Sequence, residues 1–484
     1  MALSLRASSA LLLGARGHAL ARRGTAAAAR PAAAPQRPLI TTRAYRDEKG
    51  RGEEPKSPPG GKKEPLPASL PHEGGAPQDS LLAFPFARPA AAEPPVEFGQ
   101  LLASGCPLRA KLFDGTPVWL LAKMKDVKAA LVDPRLSKVR THPGFPELSA
   151  GAKAAISDRE PTFVDLNPPE HTRLRAMFAA PFERAAVDAL RPFIRETVEG
   201  LIAGIERKRA YGGHKGPFDL HEEFSLPLAF AVIHRILGIH PEEGRHLSKN
   251  VAVRASGSST ARDAAAAQEE IVEFMSRHAA AKEADPSGDD VISSVVRNHL
   301  TKGDITRDQL VAHAFLLLVA GNATVASMID LGVVELLGRP DQLQALRDDP
   351  SLLRAAAEEA CRFHTASAYA LRRVAVEDFE LSGAHIKAGE GVIALNQAAN
   401  RDREAFEDPS VFNIFRNPPP PNVAYGYGTH ECIARELSLA ELEAAYGGLF
   451  SRLPGLRLGV ERSELPWSDP RRDVGLAALP VVWW

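Results

Sequence analysis

Apolar residues crowd one long stretch of this chain. From Gln309 to Leu337 the sequence QLVAHAFLLLVAGNATVASMIDLGVVELL is apolar on nearly every helical face, the pattern of a helix buried all round. Read as one helix, it would extend roughly 40 Å, enough to cross a domain. His313, Asn322 and Asp330 interrupt it too often for a lipid-spanning segment, so a central core helix is expected. Gly321 lies mid-pattern, at a cost of about 1 kcal/mol relative to Ala. Close packing against another helix would account for it. So would a groove in which a ligand approaches the backbone beside Ala320 and Ala323, with Thr324 supplying a hydroxyl. A second helical pattern runs from Ile433 to Leu449. A third opens after the Pro168-Pro169 pair. It sets His171 and Arg175 four residues apart on one face, where they could clamp a single anionic group.

Ahead of these patterns the chain changes character. The first 46 residues hold eight arginines and no acid, with much Ala and some Ser, the composition of an organelle transit peptide. The arginines are spread throughout rather than gathered at one end, which argues against a secretory signal. Mitochondrial import is expected, with plastid import as the alternative. Residues 47–80 are rich in Pro, Gly and charge and read as a disordered linker. The folded body is expected over 81–484. No apolar run reaches the ~20 residues, free of polar interruption, that a membrane span needs. No membrane anchor is therefore expected.

Over the 484 residues, a hydrophobic content of 44% and a charged content of 25% are ordinary for a globular protein. A net charge of −1 argues against generic nucleic-acid or acidic-membrane binding. Three widely spaced cysteines, Cys106, Cys361 and Cys432, imply neither a disulfide framework nor a zinc site. Cys432 stands out by its neighbours. Tyr425-Gly426-Tyr427-Gly428-Thr429-His430-Glu431-Cys432 puts a thiol at the end of a glycine-punctuated loop, directly before a helical segment. The positive end of that helix and the flanking backbone N–H groups favour the thiolate. The glycines let the backbone fold tightly around a large flat ligand. A buried structural cysteine is the plain alternative, and the spacing of aromatic, glycines, histidine and cysteine speaks against it.

That spacing, aromatic-Gly-x-Gly-x-His-x-Cys, resembles the signature of the haem-thiolate superfamily, the cytochromes P-450. Tyr425 stands where the superfamily usually has Phe, and Ala434 where it usually has Gly; neither removes the ligand. The resemblance implies a mainly α fold in one large helical domain, with small β-sheets and a buried b-type haem. Its iron would take Cys432 as axial thiolate. Gln309–Leu337 becomes the distal helix above the haem, with Ala320 and Gly321 lining the groove. His171, Arg175, Arg373 and His430 are assigned to the haem propionates. Glu359 and Arg362, three residues apart on a helix, would form a structural triad with Arg416 on the proximal side.

Typical members carry an acid immediately before the distal threonine. Here that position is Ala323, so the usual acid of the oxygen-splitting relay is missing. Longer segments resemble the fungal-type nitric oxide reductase branch of these cytochromes: LLLVAGNATVASMIDLGV, EEACRFHTASAYALRR, LSKVRTHPGFPELSAG, VRASGSSTAR and RRDVGLAALPVV. The likeness runs from about Phe84 to Val482. It implies reduction of two NO to N2O, with NADH or NADPH giving hydride directly to the ferric–NO haem and no flavoprotein reductase. Arg140, Arg254 and Arg372 match the branch's coenzyme-binding pattern, in which cations meet the diphosphate. Ser149 matches the position that sets NADH versus NADPH preference, which stays open. Thr324, Ser367 and Asp473 match a hydroxyl–carboxylate proton relay, and the residue types suit that task. NO as small-molecule substrate and a monomeric state complete the expectation. A monooxygenase of an organic substrate, served by a separate redox partner, is the competing reading. A non-catalytic NO or haem carrier is a third.

Overall fold

The computed structural model describes residues 81–483, apart from 91, 157–158, 213–215, 245–246, 249–260, 417–418 and 420. The expected transit peptide (1–46), the expected linker (47–80) and Arg254 lie outside the described residues. All described residues belong to one compact unit, Pro67–Trp484.

Most of this body is helical, and local signals explain where its helices start. Helix Arg307–Ala320 opens with a capping box. The Thr306 hydroxyl accepts the Gln309 N–H at 3.1 Å, and the Gln309 side chain accepts the Thr306 N–H at 3.1 Å. Donors that the first turn leaves free are thereby filled.

The stretch expected to be one continuous helix from Gln309 to Leu337 is two. The first ends at Ala320, and the second runs over Ala323–Leu337. The cause is local. The Asn322 side-chain amide donates to the Leu318 carbonyl, which an unbroken helix would give to the Asn322 backbone N–H.

The other polar interruptions are paired. His313 Nδ1 donates to the Gln309 carbonyl at 2.6 Å, and its Nε2 accepts the Phe163 N–H at 3.0 Å. Fully buried Asp330 meets His221 Nδ1 at 2.5 Å and the Ser225 hydroxyl at 2.6 Å. Among the described residues, Arg307–Leu337 alone is apolar and long enough to cross a membrane by composition, and 56% of its most apolar window is buried inside the protein. Its neighbours are mostly other helices.

Ala323–Leu337 packs on helices Leu353–His364 and Arg435–Arg452, and the latter lies along helix Arg184–Gly212. A continuous apolar core joins them through Phe163, Phe178, Phe224 and Tyr446 among others. Each such side chain contributes about 1.5–3 kcal/mol on burial. Gly332 is demanded by this packing. A Cβ there would lie 1.9 Å from the Tyr446 hydroxyl oxygen, whose proton goes to the Met328 carbonyl at 2.8 Å.

A six-stranded sheet runs in the order Leu82–Ala83, Leu108–Lys111, Pro117–Leu121, Gly391–Ala394, Arg372–Ala375, Leu136–Ser137. The pairing of Arg372 with Ile393 and Arg373 with Val392 turns the two adjacent arginines to opposite faces. A three-stranded sheet joins Leu456–Leu458, Pro480–Trp483 and Phe218–Asp219. The architecture is mainly α with small β-sheets, as the sequence implies.

Candidate active site

The cysteine loop is built by two glycines. Gly426 and Gly428 have φ of +82° and +73°, a region that glycine enters without strain. The Cys432 N–H closes the loop onto the Tyr425 carbonyl at 2.8 Å. The following helix begins at Arg435 rather than Ile433 and ends at Arg452, because residues 433 and 434 are spent turning the chain. The Cys432 thiol is solvent-accessible, yet protein surrounds it densely. Both hold for a group in the wall of an internal cavity. Burial pushes its pKa up, against the Ala434 N–H and the Arg175 charge; a metal ion would reverse that balance. The Tyr425 hydroxyl lies 3.2 Å from Cys361 Sγ and 3.1 Å from Ser438 Oγ. Tyrosine at this position thus finds its own polar partners.

The middle of the distal helix pair is also open. Ala320 is exposed although it sits between two core segments, and Val319, Gly321, Ala323 and Thr324 are only half-buried. The Thr324 hydroxyl donates to the Ala320 carbonyl at 3.0 Å. A strip of small accessible residues in a buried helix suits a flat ligand.

Positive groups gather where the propionates are expected. The His171 and His430 rings meet at a tilt of 49°, with centroids 4.2 Å apart. Both His171 ring nitrogens and Arg373 Nη2 are buried without a hydrogen-bond partner. Burial, then the charges of Arg175 and Arg373, hold the His171 pKa down to about 4. Burial and Arg373 take His430 down to about 2, and burial takes Arg373 down to about 10. Lys138, which the sequence reading missed within LSKVR, joins them. Its Nζ donates to the Ala370 carbonyl at 3.1 Å, and burial followed by Arg373 and Arg372 holds its pKa far below normal. Unpaired buried donors that repel one another would be satisfied by an anion. Together with an accessible thiol, they fit a haem.

On the other side of the loop, Arg362 grips Glu359 with two hydrogen bonds of 2.7 Å. Arg416 Nε reaches the same carboxylate at 3.2 Å. Arg362 also donates to the Asn400 and Pro409 carbonyls at 2.8 and 2.9 Å. The three residues form one buried network.

The residues expected to meet a coenzyme are arranged less simply. Arg140 Nε donates to Glu147 at 2.6 Å, and Arg372 Nη1 donates to the same carboxylate at 2.8 Å. Both arginines are thus tied to a buried acid that sequence reading passed over. Burial opposes the Glu147 charge, and the two arginines outweigh it, holding its pKa low. Ser149 caps the short helix Ala150–Ala154 by accepting the Ala152 N–H at 3.2 Å. A cleft of about 400 Å³ opens beside this loop, with Arg140, His142, Phe145, Glu147 and Lys153 in its wall.

The three relay candidates lie on elements that meet. The Asp473 carboxylate accepts the N–H groups of Ala368 and Tyr369, next to Ser367. Two residues further on, a Cβ at Gly475 would lie 3.1 Å from the Ser327 hydroxyl, one turn beyond Thr324 on the distal helix. Asp473 is accessible to solvent but enclosed by protein, and burial pushes its pKa up to about 6.

Known proteins share this sequence and shape. The family model Cytochrome P450 matches residues 247–453. Cytochrome P450 55A3 of Fusarium lichenicola is 44% identical over 401 residues, spanning 83% of this chain and 97% of its own length. Pentalenic acid synthase of Streptomyces avermitilis is 36% identical over 419 residues, spanning 85% of this chain and 100% of its own. The crystal structure of GfsF matches with a TM-score of 0.78 at 32% identity, covering 83% of this chain and 100% of that one; a cytochrome P450 of that name comes from Streptomyces halstedii. The chain belongs to the cytochrome P450 family, and is an oxidoreductase built around a haem-thiolate iron.

Proposed function

We propose that this cytochrome P450 is a nitric oxide reductase, converting two NO, NAD(P)H and a proton into N2O, water and NAD(P)+. The observation that carries the reading is the placement of positive charge. Lys138, Arg140, Arg175, Arg372 and Arg373 lie close together, and the carboxylates they meet are Glu147, Asp165, Glu431 and Asp473. Arg140 and Arg372 converge on one of these acids, Glu147, beside the cleft, and two guanidinium groups at a single carboxylate suit the diphosphate of a dinucleotide. Arg140 stands in the wall of the 400 Å³ cleft, which offers the coenzyme an approach.

Two further features support it. Ala323 leaves the position before Thr324 without an acid, and Asp473 supplies a carboxyl from another loop. Cations beside the cysteine loop are already committed: Arg354 pairs with Glu358, Glu436 and Glu443, and Arg435 with Glu358, Glu431 and Glu436. Such a surface attracts an acidic electron carrier weakly. The fungal relative is also more similar, at 44%, than the Streptomyces synthase at 36%.

When bound, the haem supplies the iron at which NO is held and reduced. Cys432 would anchor it from below, and His171, Arg175, Arg373 and His430 would fix its propionates. Ala320, Gly321 and Ala323 leave room above for a planar nicotinamide. Asp473, its pKa raised to about 6, takes up and releases a proton close to neutral pH, and the hydroxyls of Ser367 and Thr324, which both donate and accept, pass it inward.

Anaerobic protein given NO and NAD(P)H is expected to oxidise the coenzyme and release N2O with no other protein present. Oxidation that starts only after a flavoprotein reductase is added would sink the proposal. It would favour a monooxygenase, the activity of a Streptomyces fradiae relative, 20-oxo-5-O-mycaminosyltylactone 23-monooxygenase. Reversible NO binding with no coenzyme oxidation would point to a carrier.

A further inference from the structure

Arg88 belongs to neither charge cluster, yet it is only 5% exposed. It ends a segment that begins at Phe84, whose ring meets Phe86 at 5.3 Å and Tyr369 at 5.4 Å, both edge-on. The guanidinium reaches into the turn that leads to Asp473. Nη1 donates to the Arg472 carbonyl at 2.5 Å. Nη2 donates to the Ser468 carbonyl at 2.9 Å, the Ser468 hydroxyl at 3.0 Å and the Asp469 carbonyl at 3.2 Å. The Arg88 backbone N–H adds the Pro470 carbonyl at 3.0 Å. Within the turn, the Ser468 hydroxyl donates to the Asp473 carbonyl at 2.7 Å.

These bonds tie down a turn in which Asp469, Pro470, Arg471 and Arg472 all face solvent and which has little apolar packing to hold it. The same N-terminal segment also packs Tyr369, one of the two residues whose N–H groups meet the Asp473 carboxylate. One strap therefore fixes both sides of that contact.

We propose that Arg88 is a positioning residue for Asp473: it holds the Ser468–Asp473 turn so that the carboxylate stays against the Ala368 and Tyr369 N–H groups, beside Ser367. The proposal rests on the proton-supply role read above for Asp473. Only a planar fork with donors on two nitrogens serves four acceptors of one turn together; an ammonium would reach fewer. The charged and titratable groups around the Asp473 carboxyl are Arg88, Arg372 and Tyr369, with Glu97 facing Tyr369 and Asp469 facing Arg88. Arg88 and Arg372 favour the charged form, and burial opposes them.

The test uses the haem-loaded full chain as Arg88→Lys, Arg88→Ala, Asp473→Asn and the Arg88→Ala/Asp473→Asn double variant. The Asp473 carboxyl band, identified by its loss in Asp473→Asn, is titrated by infrared spectroscopy. NO-dependent coenzyme oxidation is followed across pH. Arg88→Ala is expected to move the band's midpoint upward and to lower kcat about tenfold, with KM for coenzyme unchanged. Arg88→Lys should lie between it and the parent, and it serves alone if the alanine variant does not fold. The double variant should be no slower than Asp473→Asn. An unmoved midpoint, or losses that multiply in the double variant, would overturn the positioning role. Parent-like turnover in Asp473→Asn would instead remove the relay reading, while the infrared midpoint still judges Arg88.

Discussion

Asp473 illustrates how one side chain's surroundings set its task. Burial raises its pKa to about 6, so the carboxyl is protonated below that pH and charged above it. The folded protein holds this proton more tightly than the unfolded chain, and the associated stability is lost as pH rises through 6. The rate of coenzyme oxidation is expected to bend near pH 6, and Asp473→Asn should abolish the bend while haem content stays unchanged. Cys432→Ala should do the opposite, removing the thiolate signature from the ferrous–CO absorbance spectrum. Cys432 and its loop were legible because glycines, histidine and cysteine lie within eight consecutive residues. Glu147 was not: Arg140 lies 7 residues away in a loop with no periodic pattern to pair them, and its other partner, Arg372, stands 225 residues away. Lys138 was hidden for a related reason: its burial depends on arginines from a strand more than two hundred residues later.

Helices were read from their periodicity, and the two errors share a cause. Apolar spacing reports which faces are covered, but not which carbonyl a side chain will occupy. Asn322 takes the Leu318 carbonyl, and the distal helix breaks there although its apolar pattern continues unbroken. Residues 433 and 434 have helix-forming character, yet the loop needs them for its turn. Gly332, in contrast, marks a contact that no local pattern announces. Gly332→Ala would drive a methyl into the Tyr446 hydroxyl, whose side chain is fully buried. A loss of about 1–3 kcal/mol is expected, read as a lowered urea midpoint. Tyr446→Phe in the same chain should recover part of it.

For the molecule as a whole, the mainly α architecture was legible from long helical patterns and from the resemblance, whereas the strand order of the larger sheet was not. Its strands are two to five residues long, and pairings such as Val118 with Gly391 and Leu136 with Ala375 join distant stretches of chain, too little local pattern to fix a register. That sheet nonetheless decides where charge accumulates, by sending Arg372 and Arg373 to opposite faces. A field built from many cations acts at a distance and is screened by salt. KM for NAD(P)H should therefore rise several-fold between low and physiological ionic strength, while NO affinity stays level, in steady-state assays across a salt series. The tyrosine beneath the cysteine loop has a consequence of another kind. Its backbone carbonyl holds the Cys432 amide and its hydroxyl bridges two helices, so a single residue fastens the thiol's loop to both. Fraying of that loop would have to break these bonds together, and haem escape and deuterium uptake at the Cys432 amide are expected to share a single slow rate.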